Sequence, residues 1–238
     1  MTKKIFHYAL IASLLILFVT LATTSNIQAK KVTLQSAAPA QNDFARWEKS
    51  IAAFEQSDRT KPPPQKALVF TGSSTILFWK TMTEDLPDHK VINRGFGGSQ
   101  IVDATHFADR IIIPYKPKMV LIRSGGNDIF AGKSPAVVFQ DFKDFVAKIH
   151  SKLPKTEVVY IALSPSVARW ENADKERSLN LMVLEFTKKN KRVKYLDDAD
   201  ISLGADGKPR PELFVADKLH LNAEGYKLFA ARVRKFLK

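Results

Sequence analysis

The stretch Ala67-Leu68-Val69-Phe70-Thr71-Gly72-Ser73-Ser74-Thr75-Ile76 decides how the chain is read. Four apolar residues between Lys66 and Thr71 have no polar alternation, the pattern of a short strand covered on both faces. Gly72 permits a sharp turn, and the residues after the two serines, 75–81, read as a helix. A serine at the carboxyl end of a buried strand stands where open α/β sheets bind ligands. The helix amides beside it favour a developing negative charge. By itself the pattern is more often that of a plain turn and an N-cap.

Downstream the pattern repeats. A second strand, His89-Lys-Val-Ile-Asn-Arg94, ends in Gly95-Phe96-Gly97-Gly98-Ser99. Neither GxxxxGK[ST] nor GxGxxG is completed there, so the glycines are read as backbone N–H groups able to face a charge and not as a phosphate loop. After a helix at about 101–110, a third strand (118–124) ends in Gly125-Gly126-Asn127-Asp128, which adds an amide side chain. Ser134 and Pro135 are an N-cap and first-position proline for a helix that Pro154 ends. Strand 157–163, a helix at 175–189 and strand Val193-Lys-Tyr-Leu196 follow. Alternating strands and helices predict parallel βαβ units in a three-layer α/β/α sandwich with five strands.

Upstream, Lys3 and Lys4 precede an apolar run at 9–21 and a small-residue stretch ending at Ala29. That is the layout of a secretory signal peptide over 1–29, with an uncleaved anchor through residues 5–22 as the alternative. Residues 30–42 read as a linker, and 43–238 as one domain. Phe44, Trp47, Ile51 and Phe54 mark an amphipathic helix at its start. The expected location is periplasmic or extracellular. With no cysteine in the chain, disulfides, thiolate metal sites and cysteine nucleophiles are excluded. The net charge is +13, and +11 without the two leader lysines. Such a surplus implies weak attraction to anionic envelope or membrane surfaces. Nucleic acid is not an expected partner, since no basic-aromatic recognition module is seen.

The last block, Phe214-Val-Ala-Asp217-Lys-Leu-His220-Leu-Asn222, precedes a helix that Asn222 can cap. In a turn, Asp217 lies within reach of the His220 imidazole and could fix its tautomer. If three strand ends and this turn share one rim, they supply a nucleophile, oxyanion donors and a base with its orienting acid, the parts acyl transfer needs.

With these four blocks in order over most of 66–238, the chain resembles the SGNH or GDSL hydrolases. Gly72-Ser73-Ser74 matches the first block with Ser74 at the nucleophile. Gly98 in Asn93-Arg-Gly95-Phe-Gly-Gly98 stands at the oxyanion glycine, Asn127 at the amide oxyanion donor, and Asp217-Lys-Leu-His220 at the acid and base. The resemblance implies a flavodoxin-like sheet of order 2-1-3-4-5 and no metal or organic cofactor. It also implies an esterase or lipase with catalytic residues Ser74, Asp217 and His220 and an oxyanion hole of Ser74, Gly98 and Asn127. Ser73 replaces the usual aspartate, which is not a triad member, and Ile76 stands where a GxSxG elbow would need glycine. The expected partner is a small-molecule or polymer-borne ester, with the loop 164–170 and Phe96 as candidate pocket walls. Two other readings are a non-catalytic, basic envelope-binding protein with a vestigial site and a metal-dependent phosphoesterase. The second lacks the clustered carboxylates and histidines of a metal shell.

Overall fold

The strand signals resolve into a single sheet. In the computed structural model, which describes residues 43–238, the strands are β1 (Leu68–Gly72), β2 (Val91–Gly95), β3 (Met119–Arg123), β4 (Glu157–Ile161) and β5 (Val193–Leu196). They pair in the order β2-β1-β3-β4-β5, all parallel, as the resemblance implies. The leader at 1–29 and the linker at 30–42 lie outside the described residues. Among the described residues, no helix is long and apolar enough to cross a membrane.

The helices are α1 (Glu48–Thr60), α2 (Ser74–Leu77), α3 (Met82–Asp85), α4 (Ile101–His106), α5 (Ala108–Ile111), α6 (Gly126–Phe130), α7 (Pro135–Lys152), α8 (Ala173–Lys188) and α9 (Ala223–Leu237). Successive strand residues point to opposite faces, and the two cores follow that alternation. Val69, Val120, Ile122, Val158 and Tyr160 pack with Ile51, Phe107, Phe142, Phe145 and Leu179, from α1, the α4–α5 junction, α7 and α8. Leu68, Phe70, Leu121, Val159 and Ile161 pack with Ile76, Met82, Phe229 and Val233, from α2, α3 and α9. Fully burying each such side chain contributes roughly 1.5–3 kcal/mol over leaving it exposed.

Two predicted helices are broken, each by a buried aromatic. The helix expected over 75–81 is two short ones, α2 and α3. Between them Trp79 turns into the core against Phe70 and Phe229, and its Nε1 donates to Asp85 Oδ2 at 2.7 Å. The helix expected at 101–110 divides into α4 and α5 at the fully buried Phe107. The amino-terminal aromatics begin as a 3-10 turn, Phe44–Trp47, before α1.

Candidate active site

The sheet changes direction at β1: β2 lies on one side of it and β3 on the other. The carboxyl ends at such a switch point frame a crevice, and the first three sequence blocks emerge there. β1 can end so close to β3 only because residue 72 is glycine. Its φ is +123°, and a Cβ built there would stand 2.1 Å from the Arg123 carbonyl oxygen. Ser73 N–H donates to that same oxygen at 3.2 Å, which aims the chain into α2 with Ser74 as its first residue. Asn93 secures the neighbouring end: Nδ2 donates to Ile76 O (2.6 Å), and Oδ1 accepts from Gly95 N–H (2.9 Å).

The Asp217–His220 turn closes on this crevice from below α9. Phe214 and Leu221 form an isolated antiparallel bridge, Lys218 takes a left-handed φ of 57°, and Asn222 caps α9 by accepting from Gly225 N–H at 3.1 Å. His220 Nε2 lies 3.0 Å from Ser74 Oγ, and Nδ1 lies 2.6 Å from Asp217 Oδ2. The other oxygen of Asp217 accepts from Leu219 N–H (2.8 Å) and His220 N–H (3.0 Å). The His220 backbone and ring bonds, with that of Leu219, pull the Asp217 carboxyl down to about 2. Asp217 is therefore ionised across the working range of any imidazole base, although its side chain is 48% exposed. In this arrangement Nδ1–H donates to Asp217, and Nε2 is left to accept from the Ser74 hydroxyl. Phe78 covers the imidazole edge-to-face, with centroids 5.0 Å apart.

The glycine turn after β2 passes beside the serine: a Cβ at Gly97 would lie 3.9 Å from Ser74 Cβ. Gly98 has a φ of +79°. Ser99, fully buried, ties the turn to β1 through Oγ donation to Gly72 O at 3.1 Å. Its carbonyl accepts from Asn127 Nδ2 at 3.0 Å, leaving one Nδ2 hydrogen free. Asn127 Oδ1 accepts from Arg169 Nη1 at 2.9 Å, so the amide cannot flip without losing both bonds. Arg169 in turn lies over the Phe130 ring, 4.1 Å from its centroid. Asp128, next to Asn127, is buried and accepts from Ile101 N–H and Lys133 Nζ. It anchors the Asn127 turn to the start of α4.

Serine, imidazole, carboxylate and amide thus converge on one rim, around a cavity of about 80 Å³ whose wall includes Ser73, Asn127, Arg169, Glu176 and His220. Phe96 is not part of that wall. It is 1% exposed and packs edge-to-face on Trp47. Trp170, on the outer side of its loop, is also absent from it. The loop 164–170 does supply wall residues, Ser164, Ser166 and Arg169, but the part played by Arg169 and the presence of Glu176 were not read from the sequence. Arg169 sits 42 positions from the amide it holds, and no spacing rule links them. Glu176, in the first turn of α8, has the signature of an ordinary helix-start acid, yet it is 6% exposed and burial pushes its carboxyl up to about 7. Among the described residues, no three His, Cys, Asp or Glu side chains are grouped so as to hold a metal ion.

A five-stranded parallel sheet between two helical layers, with a serine, a histidine and an aspartate hydrogen-bonded in series at its switch point, defines an SGNH-type hydrolase architecture. Residues 70–228 match the GDSL-like Lipase/Acylhydrolase family, and the chain belongs to that family. No curated protein matches it. Among solved structures it is similar to a Streptococcus pneumoniae protein provisionally described as a platelet activating factor (16% identity, TM-score 0.72, covering 82% of this chain and 94% of that one). A GDSL-like lipase from Bacteroides thetaiotaomicron gives 20%, 0.63, 82% and 97%. An acetyl-xylooligosaccharide esterase from Geobacillus gives 14%, 0.60, 74% and 95%. At these identities the likeness is one of fold.

Proposed function

We propose that the protein is a serine carboxylic-ester hydrolase that works through an acyl-serine intermediate and acts outside the cytoplasm. The observation that carries this reading is the unbroken series Asp217–His220–Ser74, with bonds of 2.6 and 3.0 Å. His220 Nε2 takes the hydroxyl proton as Ser74 Oγ attacks the ester carbonyl. Asp217 holds the ring in the accepting tautomer and stabilises the imidazolium. The oxyanion is received by the N–H groups of Ser74 and Gly98 and by the free Nδ2 hydrogen of Asn127. His220 then gives its proton to the departing alcohol oxygen, and a water molecule repeats the sequence to release the acid and restore Ser74.

The small cavity supports short acyl groups over long chains, because ligand pockets for larger molecules run to roughly 300–1,000 Å³. The apolar run after Lys3 and Lys4 supports export, and the +13 charge supports weak attraction to anionic envelope polymers or lipid. The test is hydrolysis of p-nitrophenyl esters, acetate to long chain, by the full chain and by Ser74→Ala. Turnover of the short esters that disappears in Ser74→Ala is expected. Equal activity in both proteins would refute the assignment.

A further inference from the structure

Glu176 has no part in the mechanism above, yet it is placed at the site. It lines the cavity shared by Ser74, Asn127 and His220 while remaining 6% exposed. A Cβ at Gly126 would stand 3.5 Å from Glu176 Oε1, so the carboxyl lies against the turn that delivers Asn127. Its Oε2 has no hydrogen-bond partner among the described residues. An acid in the first turn of a helix needs no burial to interact with the helix dipole, and a buried polar atom without a partner is costly. Burial of this one is therefore a feature of the cavity and not of α8.

The surroundings limit what could bind. The guanidinium groups of Arg123 and Arg169 both act on Glu176, which makes the spot unwelcoming to a cationic ligand. Anions gain little from the two guanidinium groups, which are already engaged, Arg123 by Asp198 and Ala162 O and Arg169 by Asn127 Oδ1. The Ser164 and Ser202 hydroxyls, on the same wall, bond to each other at 2.6 Å, and Ser202 Oγ also donates to Pro165 O at 2.6 Å. A neutral hydrogen-bond donor is what remains. We infer that Glu176 is a specificity-determining residue whose carboxyl accepts a hydrogen bond from a hydroxyl group of the substrate, held beside the scissile ester. This rests on the esterase reading and deepens it: preferred substrates are esters of hydroxylated acids or of polyols.

The test compares kcat/KM for ethyl acetate, ethyl glycolate and glyceryl monoacetate, using the full chain and its Glu176→Gln and Glu176→Leu variants. The wild type is expected to prefer a hydroxylated ester to ethyl acetate. Glu176→Leu should lower that preference by about tenfold or more, and Glu176→Gln, which keeps an acceptor oxygen, should retain most of it. Loss confined to ethyl glycolate places the recognised hydroxyl on the acid, and loss confined to glyceryl monoacetate places it on the alcohol. If Glu176→Leu does not fold, as judged by circular dichroism, Glu176→Ala takes its place. No preference in the wild type, or one unmoved in the apolar variant, would overturn the assignment of Glu176 and leave the esterase reading standing. Failure of the wild type to hydrolyse any of these esters or the p-nitrophenyl series would remove both.

Discussion

Replacing Glu176 by glutamine should change how stability responds to pH, and the size of the change can be worked out. The ordinary glutamate value is 4.5, and burial moves the folded-state value to about 7 against the opposing pull of Arg123 and Arg169. Between those two values the folded chain still holds a proton that the unfolded chain has released. The sign follows: stability falls as pH rises through 4.5 to 7, and the full cost is present above 7. Each tenfold in the proton equilibrium is worth 1.36 kcal/mol, so the cost approaches about 3 kcal/mol. Glutamine has a similar shape and never ionises. Glu176→Gln should therefore match the wild type at pH 4.5 and exceed it at pH 8 by about 3 kcal/mol, or roughly 6–12 °C in Tm for a domain of this size. Thermal or urea melts of both proteins at the two pH values make the measurement. Asp128, whose carboxyl is also raised by burial, to about 6, titrates in the same window. It does so in both proteins, so it cancels in the difference. Parallel pH curves for wild type and variant would refute the argument, because they would mean that the carboxyl is paired or wet at neutral pH.

Four further expectations concern the crevice. Asn127→Ala should fold and lose about 10²–10³-fold in turnover. Arg169→Ala should lose about tenfold, with no further loss when added to Asn127→Ala, because the guanidinium acts by holding the Asn127 amide; additive losses would mean that Arg169 meets the substrate itself. Asp217→Asn removes the charge that fixes the His220 tautomer and should cost about 10²–10⁴-fold, and a variant within threefold of wild type would show that the exposed carboxylate is dispensable. Gly72→Ala forces a Cβ to 2.1 Å from the Arg123 carbonyl oxygen at a φ of +123°; it should cost more than about 3 kcal/mol in urea unfolding, and an unchanged midpoint would contradict the close approach of β1 and β3.

The sheet was legible because its three central strands, β1, β3 and β4, are short apolar runs, and the mixed edge strands β2 and β5 follow them at the spacing of βαβ units. The site blocks were legible because three of them follow directly from these strands. What the sequence hid was of two kinds. Helix 75–81 had acceptable local propensity throughout, and only the pull of Trp79 toward Phe70 and Phe229 in three dimensions broke it. The loop 164–170 was legible as a wall, but the bond from Arg169 to Asn127 and the burial of Glu176 were hidden, because the surroundings of both are assembled from distant segments. An arginine in a Ser-Pro loop and an acid in a first helical turn normally face water; here the fold places them against Asn127 and Gly126. Phe96 misled for the opposite reason: a glycine-flanked aromatic looks exposed, but the turn folds it inward onto Trp47.

The segment between β4 and α8 grips both halves of the crevice. Arg169 holds the amide of Asn127, and one residue earlier Ala168 N–H donates to Lys218 O at 3.0 Å, inside the Asp217–His220 turn. The same segment supplies Ser164 and Ser166 to the pocket wall. A protein engineer who exchanges this loop to admit a different ester therefore cannot treat it as a removable cassette. Three fastening points must travel with any graft: Arg169 for the amide, Ala168 for the histidine turn, and the Ser164–Pro165 pair that is bonded to Ser202. Any lineage that diversified its substrates through this loop would have been held to the same three rivets.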